Sequence, residues 1–454
     1  MPVYEAAKEV TSGRSAARVG VALVVLGLAA LLAVLDGTVV AVALNPLAAA
    51  FGTPLAGVVW VTTGYLLAAA SMLPLLGWAS ARLGARRVFL TGLVLFVAGS
   101  ALAALAWSAG SLIAFRVVQG FGGGLLEPSS LGLAATLASR DRVGRVLGTM
   151  SMIINVAPVL GPIVGGLLLG TGHWQWIFLV NIPFGVVVFA AALAFVPAGP
   201  RSPTERPDVR GLVLLTVGFV AVLFALNRST DAPVTAAVAA AAGIATLAGY
   251  VRHALAARTP AFNLRLLHRP GFAAALSVMG CVGLIMYSQL TSLPIFDTGR
   301  GAADGLLVSA LGVGLLVSMS TGGRVSDRTG PRPLVTAGSV VTAAGLAAFL
   351  LWHDDLPLPV LFALFVVIGL SFGLAASPTF TSVYRTLPAA EQPQGTTALF
   401  MTVQLAASLG VTLLGLLRAQ AGAAWLTVLY GVLVAAALGI TALSVALPGR
   451  PGPR

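Results

Sequence analysis

The chain has 454 residues, 58% of them hydrophobic and 9% charged, with a formal net charge of +12 and a mean hydropathy of +0.98. Soluble domains carry about a quarter of their residues as charges, so this composition excludes an ordinary water-soluble protein and indicates an all-α polytopic membrane protein. The single cysteine, Cys281, lies in an apolar run, which excludes an intrachain disulfide and a cysteine metal site.

Residues 1–18 are polar and precede an apolar run too long for a signal-peptide core, so they read as a cytoplasmic tail. Apolar runs of about 17 to 25 residues, each long enough for a helix to cross a hydrocarbon core of roughly 30 Å, then begin near residues 20, 56, 88, 110, 144, 174, 211, 233, 271, 305, 334, 358, 395 and 424. That makes fourteen predicted spans. With the N-terminus inside, 22 of the 26 basic residues fall on the cytoplasmic side. Arg228, Arg300 and Arg418 fall outside, and Arg116 lies within a span. This asymmetry follows the positive-inside rule and places both termini in the cytoplasm. Trp60, Trp107, Trp174, Trp176, Trp352 and Trp425 fall near outer span ends and Trp78 near an inner one, as an interfacial belt requires. The basic excess therefore encodes orientation in a cell inner (plasma) membrane and implies no nucleic-acid partner.

The loop after the second span reads GWASARLGARRVF from Gly77, and the loop after the tenth reads GRVSDRTGPRPLV from Gly323. These are two copies of one element, each following the second helix of a six-helix set. The implied organisation is an N-terminal six-helix bundle over 19–197, linkers and two extra spans over 198–270, a C-terminal six-helix bundle over 271–447, and a tail over 448–454. Pseudo-two-fold symmetry relates the two bundles.

On these residues the chain resembles the major facilitator superfamily, and within it the fourteen-helix drug/proton antiporter branch. The superfamily's loop signature is Gly-x-Leu-Ala-Asp-Arg-x-Gly-Arg-Arg. The second copy keeps Gly323, Asp327, Arg328, Gly330 and Arg332, whereas the first keeps Gly77, Arg82, Gly84, Arg86 and Arg87 but has Ala81 at the aspartate position. LDGTVVAVALNPLAAAFG is similar to the branch's first-helix signature, RVVQGFGGG to that of its fourth helix, and WQWIFLVNIP to the entry of its sixth. In the fifth span, APVLGPIVGGLL is similar to an element associated with exporters, with Gly161, Pro162, Gly165 and Gly166 in place and Ala157 where a first glycine is usual. Simple close packing explains those glycines, and a hinge or seal toward the opposite bundle explains them equally.

An ionisable residue at membrane depth costs roughly 2.5 to 3.5 kcal/mol and is a functional candidate when a partner can be named. Three qualify: Asp36, Arg116 and Glu127. Every other acid falls in a tail or loop, including Asp297 and Asp304 after the ninth span. Arg116 and Glu127 are eleven residues apart, about 20° from a whole number of helical turns, so they share a helix face with Gln119, Gly120, Gly123 and Gly124. Small and polar residues on one stripe mean close helix packing or a water-filled cavity, and the two charges favour the cavity. Helical rise separates Arg116 from Glu127 by about 16 Å, too far for direct neutralisation, and puts Asp36 between them in height. Asp36 and Arg116 form either a structural ion pair or part of a proton-coupling site. Glu127 is either hydrogen-bonded to a neighbouring helix or the residue that takes up the proton and meets a cationic substrate. We favour Glu127 as the coupling residue. In the second bundle the polar residues at membrane depth are Tyr287, Ser288, Gln289, Thr291, Thr379, Gln404 and Ser408, of which Gln289 and Gln404 are the candidates for a pocket wall.

No histidine has metal-ligand spacing with another, and no phosphate-binding Gly-x-x-x-x-Gly-Lys element occurs. The sequence therefore implies no enzyme, no metal and no cofactor. The resemblance implies a monomeric, proton-coupled exporter of lipophilic small molecules, cations among them, by alternating access, with multidrug or antibiotic efflux as the outcome. The alternatives are a dedicated exporter of one endogenous metabolite or lipid, and a non-transporting receptor or scaffold.

Overall fold

The computed structural model describes residues 2–53, 55–138, 142–198, 208–257, 260–293, 305–353, 355–388, 391–421 and 424–449. Asp297, Asp304, most of the linker after the sixth span and the last five residues lie outside that set. Among the described residues the secondary structure is helical throughout, apart from turns and short connections. The α-helices in chain order are α1 Pro2–Phe51, α2 Leu55–Val58, α3 Trp60–Leu83, α4 Ala85–Ala104, α5 Ala109–Leu137, α6 Val143–Asn155, α7 Ala157–Leu169, α8 Trp176–Leu179, α9 Asn181–Phe195, α10 Val209–Arg228, α11 Pro233–Ala256, α12 Pro270–Ser292, α13 Gly305–Thr329, α14 Pro331–Trp352, α15 Leu358–Thr386, α16 Gln392–Gln420 and α17 Trp425–Ser444.

Thirteen of the described helical segments are long and apolar enough to cross a membrane. The expected fifth span is the exception, because it folds as two 13-residue helices, α6 and α7, meeting at Val156. Pro158 follows at the start of α7. A proline there offers no N–H, and its ring would collide with the carbonyl four residues back in a continuous helix. The break therefore precedes Gly161 and Pro162, two of the hinge candidates, and α7 runs unbroken through both.

The chain divides into two compact units. One comprises Met1–Met72, Ala79–Ala138 and Val156–Thr204, and the other Leu73–Trp78, Ser139–Asn155 and Glu205–Arg454. In the first unit α4 packs along α5, and α1 packs against both α7 and α5. In the second, α13 and α14 flank α15, α12 packs along α16, and the hairpin α10–α11 sides with α16, whose Thr412 donates a hydrogen bond to the Leu226 carbonyl of α10 (2.8 Å). Short segments of the N-terminal sequence thus cluster with the second unit: α6 lies along α13.

The repeated loop explains its glycines. Gly84 and Gly330 have φ of 90° and 80°, and each is the single residue between two helices, α3 to α4 and α13 to α14. That backbone region is closed to side chains bearing a Cβ, so the one-residue turn requires glycine. In the second copy the Asp327 carboxylate accepts the backbone N–H groups of Gly144 (3.1 Å) and Arg145 (3.0 Å) at the start of α6, and it pairs with Arg385 of α15 (2.7 Å). A carboxylate at a helix N-terminus satisfies donors that the helix leaves free. Gly323 makes room for this contact, since a side chain there would run into the Gly144 carbonyl. Gly77 touches Gln394, and Arg86 donates to the Leu193 carbonyl (2.6 Å). Arg328 and Arg332 are exposed.

Candidate functional site

The charges at membrane depth collect on α1 and α5. Helix α5 starts at a capping box, in which the Ser108 hydroxyl accepts from the Ser111 backbone (3.1 Å) and Ser111 reaches back to the Ser108 N–H (3.0 Å). Two turns later Arg116 enters the interior fully buried, and its Nη1 pairs with the Asp36 carboxylate. The same Nη1 donates to Gln119 Oε1 (2.6 Å), and Nε donates to the Val61 carbonyl (3.2 Å). The guanidinium carbon lies 4.1 Å from the centre of the Tyr65 ring and 5.7 Å from that of Phe178. Aromatic faces supply favourable electrostatics to a cation that has left water.

Asp36 is correspondingly well bonded, with a partner on each oxygen. Its Oδ2 takes Arg116, while its Oδ1 accepts from Gln119 Nε2 (2.8 Å) and Asn181 Nδ2 (2.7 Å). Ser100 closes the cluster, accepting from Gln119 (2.8 Å) and Asn181 (3.3 Å) and donating to the Phe96 carbonyl (2.9 Å). Five polar side chains from α1, α4, α5 and α9 thus form one buried network. Both Asp36 oxygens are bonded, whereas Arg116 Nη2 has no hydrogen-bond partner among the described residues; a buried ion pair held by several further hydrogen bonds is the form in which buried charge is tolerated.

Of the residues singled out from the sequence, the structure joins Asp36, Arg116 and Gln119 and leaves Glu127 apart. Ser100 and Asn181 were missed. Asn181 sat in plain view as an amide inside the apolar run IFLVNIPFG, whereas a serine in a glycine- and alanine-rich helix gives no such signal. The stripe on α5 is also different from the water-filled wall that the two charges suggested. Gly120 and Gly124 abut the backbone of Tyr65 and Ala69 in α3, and Gly123 faces the Tyr65 hydroxyl. The glycines there serve close helix packing. Gln119 has no exposed surface, and its amide is occupied on both ends.

Glu127 is half-buried on α5 beside Pro128, and no hydrogen bond or ion pair reaches its carboxylate among the described residues. Tyr65 lies within electrostatic reach of Asp36, Arg116 and Glu127 alike. The Tyr65 ring stacks on the arginine, and its hydroxyl donates to the Ala33 carbonyl (3.2 Å).

On α7, Gly161 and Gly165 seat the helix against Thr38 and Val39 of α1, and Thr38 bonds the Ala157 carbonyl (3.3 Å). Gly166 faces open space, and the Pro162 side chain lies outside the described residues. In the second unit Gln404 is half-buried, and Thr291 and Thr379 return their hydroxyls to carbonyls of their own helices. Gln289 is 1% exposed, and neither amide atom has a hydrogen-bond partner among the described residues. Among the described residues no group of three metal-ligating side chains occurs.

The model of the Major Facilitator Superfamily matches residues 26–303 and 290–454, which together span nearly the whole chain. The protein belongs to the Major Facilitator Superfamily. It is 34% identical over 401 residues to the "Multidrug resistance protein B homolog" of Mycobacterium tuberculosis, an alignment covering 86% of this chain and 74% of that one. It is 32% identical over 396 residues to the "Putative multidrug resistance protein MdtD" of Serratia proteamaculans, covering 84% and 82%. Among solved structures, the proton:xylose symporter XylE superposes with a TM-score of 0.66 at 15% identity, covering 94% of this chain and 95% of that one. The human organic anion transporter MFSD10 gives 0.66 at 17%, covering 94% and 99%. These two likenesses establish the shared fold. The chain is accordingly a multi-pass membrane protein of a transporter family.

Proposed function

We propose that the protein is a multidrug efflux transporter of an inner membrane, exporting lipophilic small molecules, cations among them, in exchange for protons. The names of its relatives support efflux. Proton coupling rests on one observation: Glu127 is a carboxylate at membrane depth that no donor or cation reaches among the described residues. Such a group lacks a partner, and a proton or a cationic substrate is the partner it can take. Asp36 is a poorer candidate, because Arg116, Gln119 and Asn181 already donate to its carboxylate and favour its charged form. In this reading Asp36 and Arg116 hold α1 and α5 in register, and Glu127 exchanges its proton against substrate as the transporter alternates access.

The energetics suffice with one site. A proton moving down about 150 mV releases roughly 3.5 kcal/mol, enough for about a 300-fold gradient of a neutral substrate. The orientation with both termini in the cytoplasm, and action as a monomer, belong to the same proposal. Inverted vesicles energised to an acid interior test it. The parent should release protons when tetraphenylphosphonium or another efflux substrate is added, and Glu127→Gln should abolish that release while leaving the protein folded. Proton-coupled efflux that survives Glu127→Gln would overturn the assignment.

A further inference from the structure

One side chain touches the buried network and also lies beside Glu127. Tyr65, on α3, is buried, with its ring centre 4.1 Å from the Arg116 guanidinium carbon. Its hydroxyl donates to the Ala33 carbonyl of α1 (3.2 Å). That bond is long for an O–H donor, whose bonds to oxygen fall between about 2.5 and 3.0 Å. The carbonyl also lies inside α1, where the helix already supplies it with an N–H. Leaving it costs the hydroxyl little.

The same hydroxyl lies against Gly123 of α5. A Cβ built there would stand 2.2 Å from the Tyr65 oxygen, so glycine is what admits the phenol to this face of the helix. Glu127 is four residues on, one turn along that face. Helical side chains lean back toward the N-terminus and cover the turn before their own. The reach of Glu127 therefore includes the patch that Gly123 leaves bare and the Tyr65 hydroxyl occupies. Tyr65 is within electrostatic reach of Glu127, although no hydrogen bond joins the two among the described residues.

We propose that Tyr65 is a positioning residue for the proton site: when the Glu127 proton leaves to water, the Tyr65 hydroxyl turns from the Ala33 carbonyl to the Glu127 carboxylate and donates to it. The phenol keeps its own proton throughout. A charged acceptor makes the stronger bond, so the exchange is favourable only while Glu127 is ionised. The state of Glu127 thereby decides whether α3 is bonded to α1 or to α5. The inference deepens the reading of Glu127 as the proton carrier and rests on it. Besides Glu127, the charged groups facing Tyr65 are Asp36 of α1 and Arg116 of α5, which pair with each other. On α4, which packs along α5, Arg86 donates to the Leu193 carbonyl and Arg87 is exposed. On α3 itself Arg82 lies in the last turn, about 25 Å along the helix from Tyr65.

The test is an infrared titration of the purified full-length protein in lipid nanodiscs, which needs no transport. The C=O stretch of protonated Glu127 is the carboxyl band missing from Glu127→Gln. A donor to the carboxylate favours its charged form and lowers the pH at which the proton leaves. Tyr65→Phe keeps the ring on Arg116 and removes the hydroxyl, so it should raise the midpoint of that band by about one pH unit, a tenfold tighter proton. If that variant is unstable, biosynthetic replacement of every tyrosine by a ring-fluorinated tyrosine keeps the packing and supplies a more acidic donor, and the midpoint should then move down. A midpoint that neither substitution moves, or that moves the opposite way, would overturn the role of Tyr65. Proton-coupled efflux that survives Glu127→Gln would overturn the transport reading alone, because the infrared shift still decides whether Tyr65 receives the carboxylate.

Discussion

Asp36 and Arg116 provide the sharpest quantitative test, because their pair is wholly buried and its partners are known atom by atom. Removing one member of a buried pair leaves the other charged and unpaired and typically costs about 3 to 5 kcal/mol. Asp36→Asn keeps an oxygen for Gln119 and Asn181 but removes the charge facing Arg116, so the loss should fall near the lower end, about 3 kcal/mol. Arg116→Met also strips the Val61 carbonyl and Gln119 Oε1 of their donor and removes the stack on Tyr65. That variant should lose about 4 to 5 kcal/mol. The double variant leaves no orphaned charge and should fall short of the sum of the singles by about 2 to 3 kcal/mol. Unfolding in mixed detergent micelles, followed by tryptophan fluorescence, gives all four corners of the cycle. Losses that add within about 0.5 kcal/mol would show that the two residues are not coupled and would refute the register role assigned to them.

Other consequences are simpler to measure. Gly84→Ala and Gly330→Ala force a Cβ into backbone that only glycine occupies freely, and each should cost about 1 to 3 kcal/mol in the same unfolding assay, whereas Gly166→Ala, facing open space, should cost no more than the usual scatter. Glu127→Gln should leave the unfolding midpoint almost unchanged, since no bond reaches its carboxylate among the described residues, even as transport fails. At the start of α10, burial pushes the Asp208 carboxyl up, but the Gly211 N–H, His253 and the Ala261 N–H together outweigh it and hold the group below the ordinary aspartate range. A depressed carboxyl stabilises the fold above its unfolded value of about 3.9 and loses that contribution as pH falls through the lower folded value. The protection of the Gly211 and Ala261 amides, taken relative to intrinsic exchange at each pH, should therefore be high at neutral pH and fall in that acid window, and Asp208→Ala should abolish the dependence.

Hydropathy, basic-residue placement and the repeated loop carried most of the architecture, because each reflects a constraint that acts on the sequence directly: membrane thickness, orientation and a one-residue turn. The site was harder to read. Asp36 and Arg116 stand out as charges in apolar runs, and helical rise alone brought them to comparable depth. Whether the face they share is open or packed depends on what lies opposite. Glycine is equally at home beside water and beside another backbone, and only the placement of Tyr65 and Ala69 decides for the latter. Ser100 belongs to the network through partners 19 and 81 residues away in the sequence, a relation that no local pattern encodes. Nothing local shows which of the two prolines in one apolar run interrupts the helix, and it is Pro158, the earlier one, that stands at the break.

The bond from Thr412 to the Leu226 carbonyl has a practical side. It ties the end of α10 to α16, and Gly415 leaves room for Thr230 in the turn that follows. The turn of the hairpin is consequently carried by the second unit rather than trailing from it, while Asp231 at its tip stays exposed. A spectroscopic label placed at Asp231 would ride on a stiff lever rather than a loose linker. The insertion that distinguishes a fourteen-helix chain from a twelve-helix one thus offers a ready handle for watching that unit move.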